Sequence, residues 1–240
     1  MMHLFAHAKI NLTLEVLGRR PDGYHDLRSV VVPIPLADEI DLLPAPDGVV
    51  SVAGCPDIPP EKNLVYVAAR LLQRTFRRTA GVAITIRKHI PVGAGLGGGS
   101  ADAAAVLNGL NDMWNLRMPK AELAALGAAV GSDVPALVLG GPVLMEGRGE
   151  RVTPLPPSTM PDFSRFVLRM PPVFSSTPAV FREFRPEDRG RGRNDLQPAA
   201  CRLHPEIRQA LDDLEADGCR DVMMSGSGSA VFGWWTGVVL

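Results

Sequence analysis

The chain has 240 residues, of which 46% are hydrophobic and 21% are charged, and its formal net charge is -1 at pH 7. A near-neutral charge argues against a nucleic-acid-binding protein, which usually carries a strong basic excess. No stretch approaches the roughly 20 apolar residues of a membrane-spanning helix, and Lys9 interrupts the apolar N-terminus before it could serve as a signal peptide. We therefore expect a cytoplasmic protein with no nucleic-acid or membrane partner, built as one large domain or two small ones.

The cysteines and histidines indicate neither a disulfide scaffold nor a metal cage. The three cysteines, Cys55, Cys201 and Cys219, are widely separated and form no C-x-x-C pair. Among the five histidines only His3 and His7 have H-x-x-x-H spacing, and one such pair is not a complete set of metal ligands. The simplest interpretation of the cysteines is that they are small buried side chains, and the sequence assigns no ligand set to a metal ion.

The first half of the sequence alternates between strand-like and helix-like patterns. Residues 9–17 alternate strictly, which places Lys9 and Asn11 on the polar face of a half-buried strand. Apolar residues recur at helical spacing after Asn63, a residue suited to the N-cap. In chain order we predict strands over 9–17, 30–36 and 40–43, a helix over about 63–75, a strand over 82–86, a helix to about residue 110 and a helix over 119–131.

The second half continues with short elements and proline-rich connections. Four prolines over residues 152–162 indicate a domain boundary. Five arginines occupy residues 182–193, where a solvated, mobile loop is favoured over a binding patch. In chain order we predict strands over 136–139, 142–145 and 166–170, a helix over 205–215, and strands over 221–224 and 230–235.

A glycine-rich loop is the strongest functional signal in the sequence. Five glycines fall within residues 93–99, between a predicted strand and an alanine-rich helix. Glycine allows positive φ and lets backbone N–H groups converge on an anion, and the start of the helix adds free N–H groups and a positive dipole end. The pattern therefore predicts a phosphate-binding loop rather than a plain flexible turn.

Three familiar phosphate-binding loops do not fit the context. Residues 93–98 satisfy G-x-G-x-x-G, but no second strand ending in an acidic residue follows about 20 residues later, as a dinucleotide-binding fold requires. A Walker A loop would need a lysine between Gly99 and Ser100. The protein-kinase loop would need a strand after it, together with the motifs H-R-D and D-F-G, which the sequence lacks.

Motifs elsewhere in the chain join this loop in resembling one family. The chain is similar to the GHMP small-molecule kinases over nearly all of its length. Each motif alone is weak, but their order and spacing make the set specific. The segments that carry the resemblance are AKINL (8–12), RPDGYH (20–25), PVGAGLGGGSADAA (91–104), GSDVP (131–135), GRGE (147–150), NDL (194–196) and MSGSGSA (224–230).

The resemblance implies an α+β fold of two domains. A mixed-sheet, ATP-binding N-terminal domain would span residues 1–155, and a smaller C-terminal domain of helices and antiparallel sheet would span residues 156–240. The active site is expected in the cleft between them. Two positions depart from the family pattern, because Ala101 stands where a second serine is frequent and Ala136 where an aromatic residue is frequent.

The resemblance also implies an activity. The motifs are most similar to those of family members that use ATP to phosphorylate the 2-hydroxyl of 4-diphosphocytidyl-2-C-methyl-D-erythritol, a small cytidyl sugar alcohol of the non-mevalonate isoprenoid route. Mg²⁺ is expected with ATP, with no carboxylate assigned to it and Ser100 as a candidate ligand. Two alternatives stay open: a kinase of the homoserine or mevalonate class, and a catalytically silent nucleotide-binding module.

Lys9 and Asp133 are the expected catalytic residues. Phosphoryl transfer needs alignment and charge stabilisation, and the substrate hydroxyl must lose its proton. The resemblance assigns that proton to Asp133, which would otherwise be interpreted as a helix or turn cap. It places the Lys9 ammonium beside this carboxylate, where it would offset charge on the transferring group; without the resemblance, Lys9 would be interpreted as a surface lysine.

The resemblance assigns the remaining site residues to the two substrates. Tyr24 and His25 would hold the cytosine by stacking and hydrogen bonds, with Phe174 as a second aromatic wall. The expected ATP-binding residues are Asn63, Pro91, Val92, Gly93, Ala94, Gly95, Leu96, Gly97, Gly98, Gly99, Ser100 and Ala101. The expected residues for the cytidyl substrate are Asn11, Tyr24, His25, Phe174, Thr177, Gly226 and Gly228.

Overall fold

Two β-sheets with helices packed on them make up the chain, so the expected α+β fold is confirmed. The computed structural model describes residues 1–55 and 57–237. Within these residues no helix combines the length and the apolar character needed to cross a membrane.

The larger sheet has seven strands. They are β1 (Met2–Asn11), β2 (Glu15–Arg19), β3 (His25–Ala45), β4 (Val50–Ala53), β5 (Gly81–Arg87), β6 (Val143–Gly147) and β7 (Arg151–Pro154). The long strand β3 is central, because β1, β2, β5 and β6 each pair antiparallel with a part of it. The edge strand β7 pairs antiparallel with β6, and β4 pairs parallel with β5, which makes the sheet mixed.

Four helices accompany this sheet: α1 (Leu64–Thr75), α2 (Gly98–Met113), α3 (Lys120–Gly127) and α4 (Val134–Leu139). Small residues let α2 lie close to the sheet, since a Cβ on Gly109 would come within 2.6 Å of Leu4 Cδ1. Ile10, Leu42 and Leu107 are fully buried between this helix and the sheet. The same packing fixes the N-terminal end of α2, where the glycine-rich loop enters it.

The smaller sheet lies in the C-terminal part of the chain. Strands β8 (Phe166–Arg169), β9 (Cys219–Met224) and β10 (Val231–Trp235) pair antiparallel in the order β8-β10-β9, and helices α5 (Thr177–Glu183), α6 (Gln197–Leu203) and α7 (Pro205–Ala216) accompany them. Leu14 and Val16 are buried in the same apolar cluster as Ile207 and Leu211 of α7, which ties the start of the chain to this part. The domain division at residues 155 and 156 stays a prediction.

Several elements differ from the sequence predictions. Residues 136–139 belong to helix α4 rather than to a strand, because a short buried apolar run fits either element and Pro135 sits in the first turn of a helix here. The two strands predicted over 30–36 and 40–43 are one continuous strand, β3. The single strand predicted over 9–17 is instead the end of β1 and the start of β2, and the elements that the patterns did not predict at all are β4, β7, α5 and α6.

Candidate active site

A cavity of about 1660 Å³ is lined by residues from both the larger sheet and the C-terminal part. The glycine-rich loop forms one part of its wall, and the turn before β3 forms another. The start of α5 and the loop at Gly226 and Ser227 complete the C-terminal side. The elements that carry the sequence motifs therefore meet around one space.

The glycine-rich loop adopts a backbone that side chains would disturb. Gly93, Gly95 and Gly97 have φ of 73°, 73° and 70°, in the left-handed region that favours glycine. A Cβ on Gly95 would lie 2.2 Å from the backbone oxygen of Ser225. The loop leads into the 16-residue helix α2, whose first N–H groups have no partner within the helix. This combination provides the N–H donors that a phosphate group needs.

Lys9 is held in place by hydrogen bonds at the end of β1. Its side chain is buried, and Nζ donates to Asn11 Oδ1 at 2.7 Å and to the backbone oxygen of Gly95 at 2.9 Å. The Asn11 amide in turn donates to Ser29 Oγ at 2.7 Å, which fixes its orientation. Lys9 Nζ also lies 3.7 Å from Asp133 Oδ2. The two predicted catalytic residues are thus brought together beside the loop.

Asp133 stands at the N-cap position of α4, but its side chain makes no capping hydrogen bond. Its carboxylate is about one-third exposed and lines the cavity. The turn around Gly149 packs against the neighbouring Ser132, since a Cβ on Gly149 would lie 2.2 Å from the Ser132 backbone oxygen. The capping interpretation is therefore right for the position of Asp133 and wrong for its side chain, which is available for chemistry.

Aromatic side chains gather at the end of the cavity near β3. His25 stacks on Phe181 with the ring centroids 4.9 Å apart and the planes at 17°, and Phe184 meets His25 edge-on at 6.2 Å. Tyr24 is half exposed, with Arg148 Cζ 4.5 Å from its ring centroid. Burial lowers the pKa of His25, and Arg19 and Arg189 lower it further, so the imidazole is neutral at pH 7.

Most of the predicted site residues line this cavity. Phe174 is an exception, because it packs on Gly93, is mostly exposed and lies outside the lining; Ala101 and Gly228 lie outside it as well. Asn63 lines the cavity and also caps α1, accepting the Val65 N–H at 3.0 Å. Thr177 lines it too, with its hydroxyl 2.7 Å from Ser227 Oγ.

Phe181, the aromatic residue that faces His25, was not among the residues predicted from the sequence. Phe181 follows Thr177 by four positions in α5, so both side chains fall on the same helix face. The four-residue spacing from Thr177 indicates that Phe181 faces the cavity only if this segment is known to be a helix, and helix α5 was not predicted. The lining also contains four arginines for which the sequence predicted no role: Arg19, Arg148, Arg182 and Arg189.

A buried charged cluster lies beneath the glycine-rich loop. The Lys88 ammonium donates to both Asp38 and Asp102, and Asp38 also accepts the backbone N–H groups of His89 and Ile90. Asp102 Oδ1 is buried without a hydrogen-bond partner. Burial raises the pKa of Asp102 to about 7, against the opposing effect of Lys88. Asp102 therefore takes up a proton at a higher pH than an exposed aspartate does.

The oxygen atoms beside the loop fit a magnesium ion held mainly by nucleotide phosphates. Across residues 1–55 and 57–237, no group of three His, Cys, Asp or Glu side chains could hold a metal ion. Mg²⁺ commonly binds through one or two protein oxygens together with substrate phosphates and water. The Ser100 hydroxyl lines the cavity in the first turn of α2 and meets that modest requirement.

Comparisons with known proteins agree with this geometry. The family model described as "GHMP kinases N terminal domain" matches residues 63–141, and the model described as "GHMP kinases C terminal" matches residues 178–236. A 4-diphosphocytidyl-2-C-methyl-D-erythritol kinase of Geobacillus kaustophilus (strain HTA426) is 44% identical over 253 residues, which cover 95% of this chain and 86% of the relative.

One solved structure gives the same assignment, and another shares the fold. A crystal structure of 4-(cytidine 5'-diphospho)-2C-methyl-D-erythritol kinase is 37% identical and superposes with a TM-score of 0.83, covering 97% of this chain and 90% of its own. A homoserine kinase from Cytophaga hutchinsonii superposes with a TM-score of 0.71 at 20% identity, covering 97% and 84%, and shares the fold. Because the identity to curated relatives extends over almost the whole chain, the chain belongs to the 4-diphosphocytidyl-2-C-methyl-D-erythritol kinases of the GHMP kinase family.

Proposed function

We propose that the protein transfers the γ-phosphoryl group of ATP to the 2-hydroxyl of 4-diphosphocytidyl-2-C-methyl-D-erythritol in the non-mevalonate isoprenoid route. The observation that carries the proposal is the 3.7 Å separation of Lys9 Nζ and Asp133 Oδ2 beside the glycine-rich loop. The curated relatives are named as kinases of this substrate. A single cavity joins the loop to the aromatic group around His25, which gives both substrates a place.

ATP occupies the side of the cavity that the glycine-rich loop forms. Backbone N–H groups of residues 93–100 and the positive end of α2 stabilise its phosphates. Asn63 lies at the start of α1 on the same wall. Magnesium bound with ATP would neutralise charge on the phosphates, and Ser100 is the residue that would hold it.

Asp133 accepts the proton of the substrate hydroxyl. The hydroxyl oxygen forms the new bond to the γ-phosphorus, the bond from this phosphorus to the bridging oxygen breaks, and ADP leaves with the electron pair. The Lys9 ammonium, which Asn11 and the Gly95 carbonyl hold in place, stabilises the charge on the transferring group. Every group in this step lies beside the loop, so alignment is the main contribution of the protein.

The cytidyl end of the substrate lies among the aromatic residues. Tyr24 and Phe181 offer ring faces for stacking on the cytosine, and the neutral His25 can donate or accept a hydrogen bond at the edge of the base. Phe181 takes the role that the sequence predicted for Phe174. Thr177 and Gly226 also line the cavity, and Gly226 lies beside the Lys9 ammonium.

A side-by-side assay tests the proposal. The purified protein is given ATP and Mg²⁺ with the cytidyl sugar alcohol, with homoserine or with mevalonate, and ADP release is measured while phosphorus NMR identifies the product. We expect ADP and a 2-phosphorylated product with the cytidyl substrate alone. Turnover of homoserine or mevalonate without turnover of the cytidyl substrate would favour another kinase class, and no turnover of any alcohol would favour a silent nucleotide-binding module.

The cytoplasm is the proposed location of the enzyme. Cys55, Cys201 and Cys219 are free thiols, and burial raises the pKa of each. Thiols that stay reduced are typical of a reducing compartment. Fractionation of cells that produce the protein would test this, since recovery in an oxidising compartment would contradict it.

A further inference from the structure

The arginine-rich segment is anchored on both sides of Arg189. Buried Asp188 accepts from two nitrogens of the Arg202 guanidinium at 2.9 and 2.7 Å, and it also accepts the Arg185 backbone N–H at 2.9 Å. Buried Asp195 accepts the Gly190 backbone N–H at 2.8 Å. These bonds fix the backbone just before and just after Arg189, which differs from the free, solvated loop that the sequence favoured.

Arg189 extends from this anchored backbone toward the cavity. Its side chain is exposed and lines the cavity, with Cζ 5.9 Å from the Phe184 ring centroid. Arg19, at the end of β2, lies directly opposite His25 in the β2–β3 pairing and lines the cavity as well. Arg189 reaches the His25 side through Phe184, which meets the imidazole edge-on, and both cations lower the pKa of His25. Two guanidinium groups therefore flank the proposed cytosine site.

Neither guanidinium has an acidic partner in the described part of the chain. Arg185 pairs with Glu183 at 3.0 Å and Arg193 with Asp221 at 2.8 Å, whereas no carboxylate lies within 4.0 Å of Arg19 or Arg189. Arg182 and Arg191 also lack an acidic partner among the described residues, and the position beside His25 distinguishes Arg19 and Arg189 from them. Two uncompensated cations beside a neutral imidazole in a cleft favour an anionic ligand between them.

We propose that Arg19 and Arg189 form a clamp for the diphosphate of the cytidyl substrate and make the site selective for cytidine 5′-diphosphates over uncharged cytidine. The proposal rests on the proposed function, since that function supplies the diphosphate. A guanidinium binds phosphate oxygens through two parallel N–H groups, and the contact of Arg189 with Phe184 holds one clamp arm beside the stacked rings. The aromatic residues then bind the base, and the two neighbouring guanidinium groups bind the diphosphate.

Binding of cytidine, CMP and CDP separates the clamp from the stacking site. Dissociation constants are measured by calorimetry for the wild type, Arg189→Gln and Arg19→Gln. We expect each variant to weaken CDP binding by about 10- to 100-fold and to leave cytidine binding at its wild-type value, with CMP between them. Arg191→Gln is the matched control, because Arg191 is an exposed neighbour outside the cavity lining and loses the same charge.

Two outcomes would overturn the clamp. Equal weakening of cytidine and CDP would show that the arginines only support the aromatic rings, and an equal loss in Arg191→Gln would show a general charge effect. Turnover assays separate this proposal from the proposed function. If the wild type phosphorylates the cytidyl substrate but Arg19→Gln and Arg189→Gln bind CDP as tightly as the wild type, the clamp is wrong and the proposed function stands. If both variants lose affinity for CDP but not for cytidine, while the wild type phosphorylates none of the alcohols, the clamp stands and the kinase assignment is wrong.

Discussion

Lys9 Nζ and Asp133 Oδ2 lie 3.7 Å apart beside Gly97, where an added side chain would press on Lys9. A Cβ on Gly97 would come within 3.1 Å of Lys9 Cγ and 3.6 Å of Asp133 Oδ2. In the proposed reaction the loop can bring a phosphate close to this pair because position 97 carries no side chain. The chemistry depends on three segments, β1, the loop and the start of α4, meeting at one place.

Removal of the Lys9 charge should slow catalysis strongly. Lys9→Met is expected to reduce kcat by about 10²- to 10³-fold, because one preorganised cation is lost from the transition state. It should also lower the free energy of unfolding by about 1–3 kcal/mol, since Asn11 Oδ1 and the Gly95 carbonyl lose their donor. Lys62→Met is the control, because Lys62 is exposed at the cavity edge. Steady-state kinetics and urea unfolding of both variants measure these effects, and near-normal kcat in Lys9→Met would contradict the role.

The aromatic wall can be assigned by comparing two phenylalanines. Phe181→Ala should raise the KM for the cytidyl substrate by about 10- to 100-fold, because a stacking surface worth roughly 1–3 kcal/mol is removed. The KM for ATP should stay unchanged. Phe174→Ala, at a mostly exposed residue outside the cavity lining, should leave both KM values near the wild type. The reverse pattern would restore the sequence-based assignment to Phe174.

Space and backbone strain at the loop can be separated by two alanine substitutions. Gly95 and Gly48 both have positive φ, 73° and 77°, so alanine costs each about 1–2 kcal/mol of strain. At Gly95 the new Cβ would also clash with the backbone oxygen of Ser225 at 2.2 Å, whereas no atom lies within 4 Å of a Cβ at Gly48. Gly95→Ala should therefore be destabilised by about 1–3 kcal/mol more than Gly48→Ala in urea unfolding. It should also lose ATP binding, and equal effects in the two variants would contradict the close packing of the loop.

The Asp102 carboxyl should give stability a distinct pH dependence. Its pKa is about 7 in the folded protein and near 3.8 ordinarily, so the folded state binds more protons between these two values. The free energy of unfolding should then fall as pH rises from about 4 through 7. Asp102→Asn does not titrate, so its difference from the wild type should change by on the order of 2 kcal/mol between pH 5 and pH 8.

Urea unfolding at several pH values measures this difference. Asp112→Asn is the control, because Asp112 is an exposed residue of the same helix. It should follow the wild-type curve throughout. A constant difference between Asp102→Asn and the wild type from pH 5 to pH 8 would mean that Asp102 is ionised in the folded protein at all of these values.

Local patterns in the sequence predicted the parts of the site that depend on local chemistry. The glycines of residues 93–99 and the polar face that carries Lys9 and Asn11 follow from backbone conformation and strand alternation. The meeting of Lys9 with Asp133 does not, because it depends on how β1 and α4 pack around the loop. It was reached through the family resemblance of the whole motif set.

Elements without a strong local pattern were missed or assigned wrongly. Helix α5 has only seven residues after a proline-rich loop, so periodicity could not place Phe181 on the cavity wall. The position of Arg189 depends on two buried aspartates, Asp188 and Asp195, whose partners are far apart in the sequence or are backbone groups. The apolar run at residues 136–139 fits a strand or a helix, and packing decides for the helix.

The rate of phosphoryl transfer in a single turnover of Asp133→Asn tests the central claim most directly. Enzyme in excess over ATP is mixed with the cytidyl substrate, and the transferred phosphate is followed over time, with Asp57→Asn as a control at another carboxylate of the cavity wall. We predict a rate about 10²- to 10⁴-fold below the wild type for Asp133→Asn, with unchanged ATP binding, and a wild-type rate for Asp57→Asn. A wild-type rate in Asp133→Asn would contradict the assignment of Asp133 as the proton acceptor.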